Sequence, residues 1–324
     1  MLNYYNKNKK EIWEEVQKSE KFAIEPRKKI VKKLISYVIP ISFGSVVVAL
    51  SSVIDLATVM DGLQKFGYTL QEANEKFGII LGKVDILVAV PLSINVAFSV
   101  ALVPFVSSAM ARNDKAEASK KIKFSLKVSS LIALPCTAGL FVLAPNIFAL
   151  LFPNASEGAY LLQIQCFMII FSVLAQTIYG TLQGMGKLFV PGTCLAIGAV
   201  VKYVLNVILV PKYGEVIPAI TTVIYNAIAC TLTFIILFKT FIDKADFMDL
   251  FLKPLWATVA MAITTVVADK LLVLVGISYN IATIISIIIA VFTYVVFMRV
   301  FKTLTKDEVK QLPMGNKLSK ILVK

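Results

Sequence analysis

Residues 281–301 read IATIISIIIAVFTYVVFMRVF, and the single charged side chain in them, Arg299, stands near the end. A helix needs about 20 mostly apolar residues to cross the hydrocarbon core of a bilayer. In lipid every backbone N–H and C=O must find a partner within the protein, which leaves helices and closed barrels as the only spanning structures. Twenty-one residues with no turn signal predict a transmembrane helix. The same reading applied outward finds seven more spans: Ile35–Val59, Gly82–Ala109, Val128–Phe152, Tyr160–Gly184, Leu188–Val210, Val216–Phe238 and Phe251–Val267, the last extending toward Val275. In chain order they are spans A to H, with Ile281–Phe301 as span H. The expected fold class is an all-α integral membrane protein, an eight-helix transmembrane bundle.

Composition agrees. The 324 residues are 58% hydrophobic, with a mean hydropathy of +0.80, where soluble domains run at about 45–50% apolar. The first 33 residues are polar and basic and contain no apolar core of the signal-peptide kind. Cys136, Cys166, Cys194 and Cys230 all fall in apolar stretches and read as small buried hydrophobes. The sequence has no histidine, so the commonest general base and metal ligand is missing. No GxxxxGK[ST] motif is present either. Neither a catalytic residue, a metal site nor a cofactor is expected, and the chain does not read as an enzyme.

The basic residues fix the expected topology. Of 33 Lys and Arg, 27 fall in the segments on one side of the bundle: residues 1–33, the B–C, D–E and F–G connections and the C-terminal tail. Five (Lys65, Lys76, Lys83, Lys212 and Lys270) fall on the other, and Lys202 lies inside span E. The positive-inside rule then puts both termini in the cytoplasm. The net charge of +13 is met by anionic membrane lipids, and nucleic acid is not needed to explain it. Segment 7–33 reads as an amphipathic helix on the membrane surface. Pro91, Pro104 and Pro135 interrupt spans and favour kinks. Gly180 and Gly184 form a GxxxG spacing that permits close helix approach. Asp269 and Lys270 read as the end of span G.

Ionisable side chains inside a membrane are costly and mark sites by default. Asp55 in span A, Asn206 in span E and Thr221 and Thr222 in span F fall at nearly one depth. Lys202, four residues before Asn206 on the same helix face, can reach that level with its long stem. These residues predict a polar cluster of Asp55, Lys202, Asn206 and Thr222 linking spans A, E and F. Two readings are open. The cluster binds a proton or cation at Asp55 when the lysine swings away, or it is a permanent ion pair that sets the register of the bundle. Lys83, at the outer mouth of span B beside Asp85, is a candidate for an anionic head group, or it snorkels to the interface.

Four ordered segments carry a family resemblance: ISYVIPISFGSVVVALSSVIDLATV at 35–59, FSVALVPFVSSAMARND at 98–114, YGTLQGMGKLFVPG at 179–192 and KYVLNVILVPKYGEVIPAITTVIYNAIA at 202–229. The chain resembles polysaccharide-biosynthesis membrane proteins of the stage V sporulation protein B type. These belong to the multidrug/oligosaccharidyl-lipid/polysaccharide flippase superfamily, alongside the lipid II flippases. That resemblance implies a fourteen-helix architecture, of which this chain is equivalent to the second lobe plus two extra helices. Residues 1–33 would be a cytoplasmic linker, 34–240 the six-helix lobe, 241–305 the extra pair and 306–324 a cytoplasmic tail. A second chain or lobe would supply the other six helices. It further implies that Asp55 is similar to a cation-binding carboxylate of some lipid II flippases, with Asn206 and Thr222 as further ligands and Lys202 standing in place of the cation.

The activity so implied is that of a flippase, or half of one, in the bacterial cell membrane. It would move an undecaprenyl-linked cell-wall, spore-cortex or polysaccharide precursor by alternating access. The substrate is then a lipid-linked oligosaccharide, with lysines meeting its pyrophosphate and its tail near spans G and H. Two alternatives remain open: a cation-coupled multidrug exporter of the same superfamily, and a non-transporting membrane scaffold or assembly subunit.

Overall fold

The computed structural model describes residues 26–112, 114–153, 156–241 and 248–305, with isolated positions 9, 13, 14, 308 and 309. Most of the amphipathic segment 7–33 and of the tail 306–324 lies outside the described residues. The chain divides into two compact units between Ile39 and Pro40, and the cavity and every polar cluster below lie in the second.

Among the described residues, eight helical stretches are long and apolar enough to cross a membrane. They are built from α1 (Arg27–Phe66), α2 (Leu70–Ile79), α3 (Asp85–Ala111), α4 (Lys115–Leu151), α5 (Ala159–Gln165), α6 (Met168–Gly184), α7 (Phe189–Tyr213), α8 (Val216–Phe241), α9 (Lys253–Leu274) and α10 (Tyr279–Val300). The second stretch joins α2 to α3 through a π-helical turn, Ile80–Val84, and another π turn, Met248–Leu252, leads into α9. The helices run on through Pro91, Pro104 and Pro135.

The expected spans all fall on these helices, with three differences. Span B starts earlier, because Thr69 begins a helix that its polar composition hides. The Thr69 hydroxyl accepts from the Glu72 N–H at 3.3 Å, and the Glu72 carboxylate accepts from the Thr69 N–H at 2.8 Å. This reciprocal capping box satisfies two donors at the helix start. Span D is broken after Gln165, so that α5 and α6 are separate helices. Asp269 does not end span G: α9 continues to Leu274, and Asp269 accepts from the Asn146 amide of α4 at 2.8 Å and the Ser286 hydroxyl of α10 at 3.3 Å.

Water does not drive helices together inside lipid; close packing and polar contacts do. The outward faces are accordingly apolar and bare, as at Ile288, Val291 and Phe292 of α10. The inward contacts use small residues. A Cβ on Gly180 of α6 would sit 2.6 Å from the Ser99 carbonyl oxygen of α3, and one on Gly184 would sit 2.9 Å from that of Val103. The expected GxxxG contact is therefore a seam between α3 and α6. Beside it, Phe148, Leu161, Ile169 and Val173 form one apolar core, and Leu102, Val106, Ile122 and Ile178 another. The pair α9–α10 packs on α4 through Leu131, Met261 and Tyr294, whose hydroxyl donates to the Leu131 carbonyl at 3.0 Å.

Candidate functional site

A cavity of about 530 Å3 opens among α1, α3, α6, α7 and α8. Its wall mixes apolar side chains with Asp55, Asp85, Gln176, Lys202, Thr222 and Asn226. Ser51, Asp55 and Thr58 follow one another at helical spacing, so α1 presents all three to α7. Lys202 is 2% exposed. Its ammonium donates to Asp55 Oδ2 at 2.5 Å and to Ser51 Oγ at 3.3 Å, and lies 5.5 Å from the centre of the Tyr225 ring. The fully buried Asn206 donates its amide to Asp55 Oδ1 and to Thr58 Oγ1, both at 3.1 Å, and its carbonyl accepts from Thr221 at 2.6 Å.

The geometry thus brings together Asp55, Lys202 and Asn206. Thr221, and not Thr222, is the threonine that joins them. Thr222 lines the cavity, and its carbonyl accepts from the Asn226 amide at 2.8 Å. Both oxygens of Asp55 are engaged and an ammonium cancels its charge. The Lys202 ammonium lies against the Oδ2 side of that carboxylate. Lys83 sits on the π turn with its ammonium 5.3 Å from the centre of the Phe152 ring, and Asp85, two residues on, is the one that lines the cavity.

Three further polar sites went unread in the sequence. Asp85 accepts from the Gln165 amide of α5; Gln165 is one of four glutamines in its span, and nothing in the sequence sets it apart. Asn95, fully buried on α3, donates to the Val173 carbonyl at 2.9 Å and accepts from Ser129 of α4 at 3.0 Å, while Ser129 and Thr177 share a 2.6 Å hydrogen bond. Such a satisfied network pins three helices. Glu215, in the turn between α7 and α8, accepts from the hydroxyls of Tyr160 and Tyr68 and lies 3.4 Å from Lys76. Burial alone would raise its carboxyl, but the two phenols and the Lys76 ammonium outweigh burial and hold it below the usual carboxylate range. The Tyr68 phenol is pushed up in return, first by its hydrogen bond to Glu215 and then by burial.

Apolar spans around a polar-walled cavity define a multi-pass membrane protein. The family model for the lipid II flippase MurJ matches residues 16–303, and the chain belongs to that family. It is 31% identical over 188 residues to the uncharacterized membrane protein YabM of Bacillus subtilis (strain 168), a match covering 58% of this chain and 35% of that protein. It is 25% identical over 212 residues to the lipid II flippase MurJ of the same organism, covering 64% of this chain and 39% of that one. The chain therefore matches little more than a third of the length of these relatives. A lipid II flippase MurJ in an inward closed conformation superposes with a TM-score of 0.59 at 18% identity, over 80% of this chain and 52% of that one. An outward-facing multidrug resistance MATE family transporter of the MOP superfamily gives 0.51 at 15% identity, over 89% of this chain and 66% of that one. At these identities the two structures speak to the fold alone.

Proposed function

We propose that this chain is the second lobe of a flippase for an undecaprenyl-linked cell-wall, spore-cortex or polysaccharide precursor. Six further helices, from another lobe or chain, would face its cavity, and both termini would lie in the cytoplasm. The carrying observation is the cavity itself: charged and amide side chains at membrane depth, walled by helices whose other faces are apolar. Such groups are costly in lipid and persist where they face a pathway or one another. The Asp55–Lys202 pair is the proposed coupling element. When the lysine leaves, Asp55 becomes an open anionic site, and the lobe's conformation would change with its occupancy. Lys83 would meet the pyrophosphate at the mouth of the cavity.

Depletion of the chain should cause one lipid-linked precursor to accumulate on the cytoplasmic leaflet, and the wild type should clear it. If no precursor accumulates while drug efflux falls, the chain is a multidrug exporter. A second reading, a scaffold, draws on the Asp55–Lys202 pair being satisfied within the lobe. It requires that a folded protein with Asp55 and Lys202 both replaced by apolar residues supports growth as the wild type does.

A further inference from the structure

The cavity holds a second carboxylate whose surroundings differ from those of Asp55. Asp85 opens α3 directly after the π turn and faces the same cavity as Asp55 and Lys202. No Lys or Arg nitrogen lies within 4.0 Å of it among the described residues. Its partner is the Gln165 amide nitrogen. Gln165 is 1% exposed, and its own Oε1 has no hydrogen-bond donor among the described residues. A buried amide oxygen without a donor is a rare and unfavourable state, and a carboxylate at membrane depth without a cation is another.

One proton relieves both. An ionised carboxylate can only accept hydrogen bonds, whereas a protonated one also donates. With a proton on the second carboxyl oxygen, acid and amide share two hydrogen bonds: Gln165 N–H to one carboxyl oxygen, and the carboxyl O–H to Gln165 Oε1. We propose that Asp85 and Gln165 form a proton-binding site, taking up a proton in one state of the transport cycle and releasing it in another. The proposal rests on the transport reading above.

The neighbouring charges give that proton a task. From α1 and α7 the cavity receives Asp55 and Lys202, which cancel at 2.5 Å. From α6 and α8 it receives the phenols of Tyr179 and Tyr225. Lys83 lies on the π turn against Phe152. Among the described charged residues lining the cavity, Asp85 alone then decides the net charge, negative when ionised and absent when protonated. An anionic head group is repelled by the first state and admitted by the second.

Infrared difference spectroscopy of the full chain in lipid nanodiscs tests the site without any transport measurement. As the pH is lowered, the wild type should gain the carbonyl stretch of a protonated carboxyl group. Asp85→Asn should remove that band and Asp55→Asn should keep it. Gln165→Leu should shift both its frequency and its titration midpoint. Asp85→Glu should move the band rather than abolish it, which assigns it even if Asp85→Asn fails to fold. The proposal is overturned if the band is absent from the wild type or survives in Asp85→Asn. It is equally overturned if added sodium at fixed pH, rather than protons, perturbs the carboxylate stretch of Asp85. A band without precursor transport would sink the transport reading alone; transport without the band would sink the proton site alone.

Discussion

The Lys127 ammonium lies 2.7 Å from the Asp249 carboxylate, and Glu308 reaches it from the far end of the chain at 3.0 Å. One side chain, 2% exposed, thus joins α4 to the π turn before α9 and to the segment after α10. Lys127→Met removes the cation that Asp249 and Glu308 share, leaving Asp249 with Lys253 at 2.5 Å and Glu308 facing it. A fully buried pair broken in this way costs about 3–5 kcal/mol. Asp249 is 38% exposed, so water screens part of the loss and about 2 kcal/mol is expected. Thermal unfolding in detergent measures it, and an unchanged midpoint would show that the clasp carries no stability.

Asp55→Asn should strand the Lys202 ammonium among buried groups and destabilise the protein by about 3 kcal/mol. Adding Lys202→Met should recover most of that loss, since both charges are then gone. Unfolding of the two variants side by side gives the coupling. Precursor transport by the double variant separates coupling element from staple: a site predicts a folded, inactive protein.

Gly180→Ala forces a methyl group against the Ser99 carbonyl, and helix backbone on both sides leaves it nowhere to go. Overpacking of this kind costs about 1–3 kcal/mol. Gly139→Ala on α4 is the control, because a Cβ there meets nothing within 4 Å. It should be neutral or stabilising by up to about 1 kcal/mol, from helix propensity. If the two variants unfold alike, the α3–α6 seam is not tight.

The Glu215 carboxyl is depressed in the folded state, so its contribution to stability has a definite sign with pH. The contribution is fully present above the ordinary glutamate value of about 4.3. It is lost as the pH falls through the lower folded value, because protonation removes the acceptor that Tyr160, Tyr68 and Lys76 share. The unfolding midpoint should fall on acidification in that window, and Glu215→Gln should flatten the fall. A slope identical in the two proteins would mean that another carboxylate is responsible.

The spans were legible because lipid imposes one requirement on every one of them, and Ile281–Phe301 meets it without exception. Asp55, Lys202 and Asn206 were legible for the complementary reason: charge and amide stand out against apolar sequence. Depth along a helix follows from counting residues, but rotation about it does not. Adjacent residues point about 100° apart, which is why Thr221 rather than Thr222 meets Asn206. The Thr69–Glu72 capping box was readable in principle and was hidden by the polar run QEANEK around it. Lys127 counted as one more basic residue of a cytoplasmic flank, since its partners lie more than a hundred residues away. Asp85 and Gln165 are likewise distant in sequence, 80 residues apart.

The π turn at Ile80–Val84 sets the phase of two neighbourhoods at once. Its closing bond runs from the Asp85 N–H to the Ile80 carbonyl, five residues back, so the helix absorbs one residue more than an α-turn would. In an unbroken α-helix Lys76 and Asp85, nine positions apart, would project about 180° from each other; with one residue absorbed the angle closes to about 80°. A single rod can therefore offer its lysine to Glu215 at the rim and its aspartate to Gln165 in the cavity. Rewinding that turn as α-helix at unchanged length would restore about 180° and swing one of the two out of reach, whereas deleting Gly82 would remove bulge and extra residue together and keep both contacts.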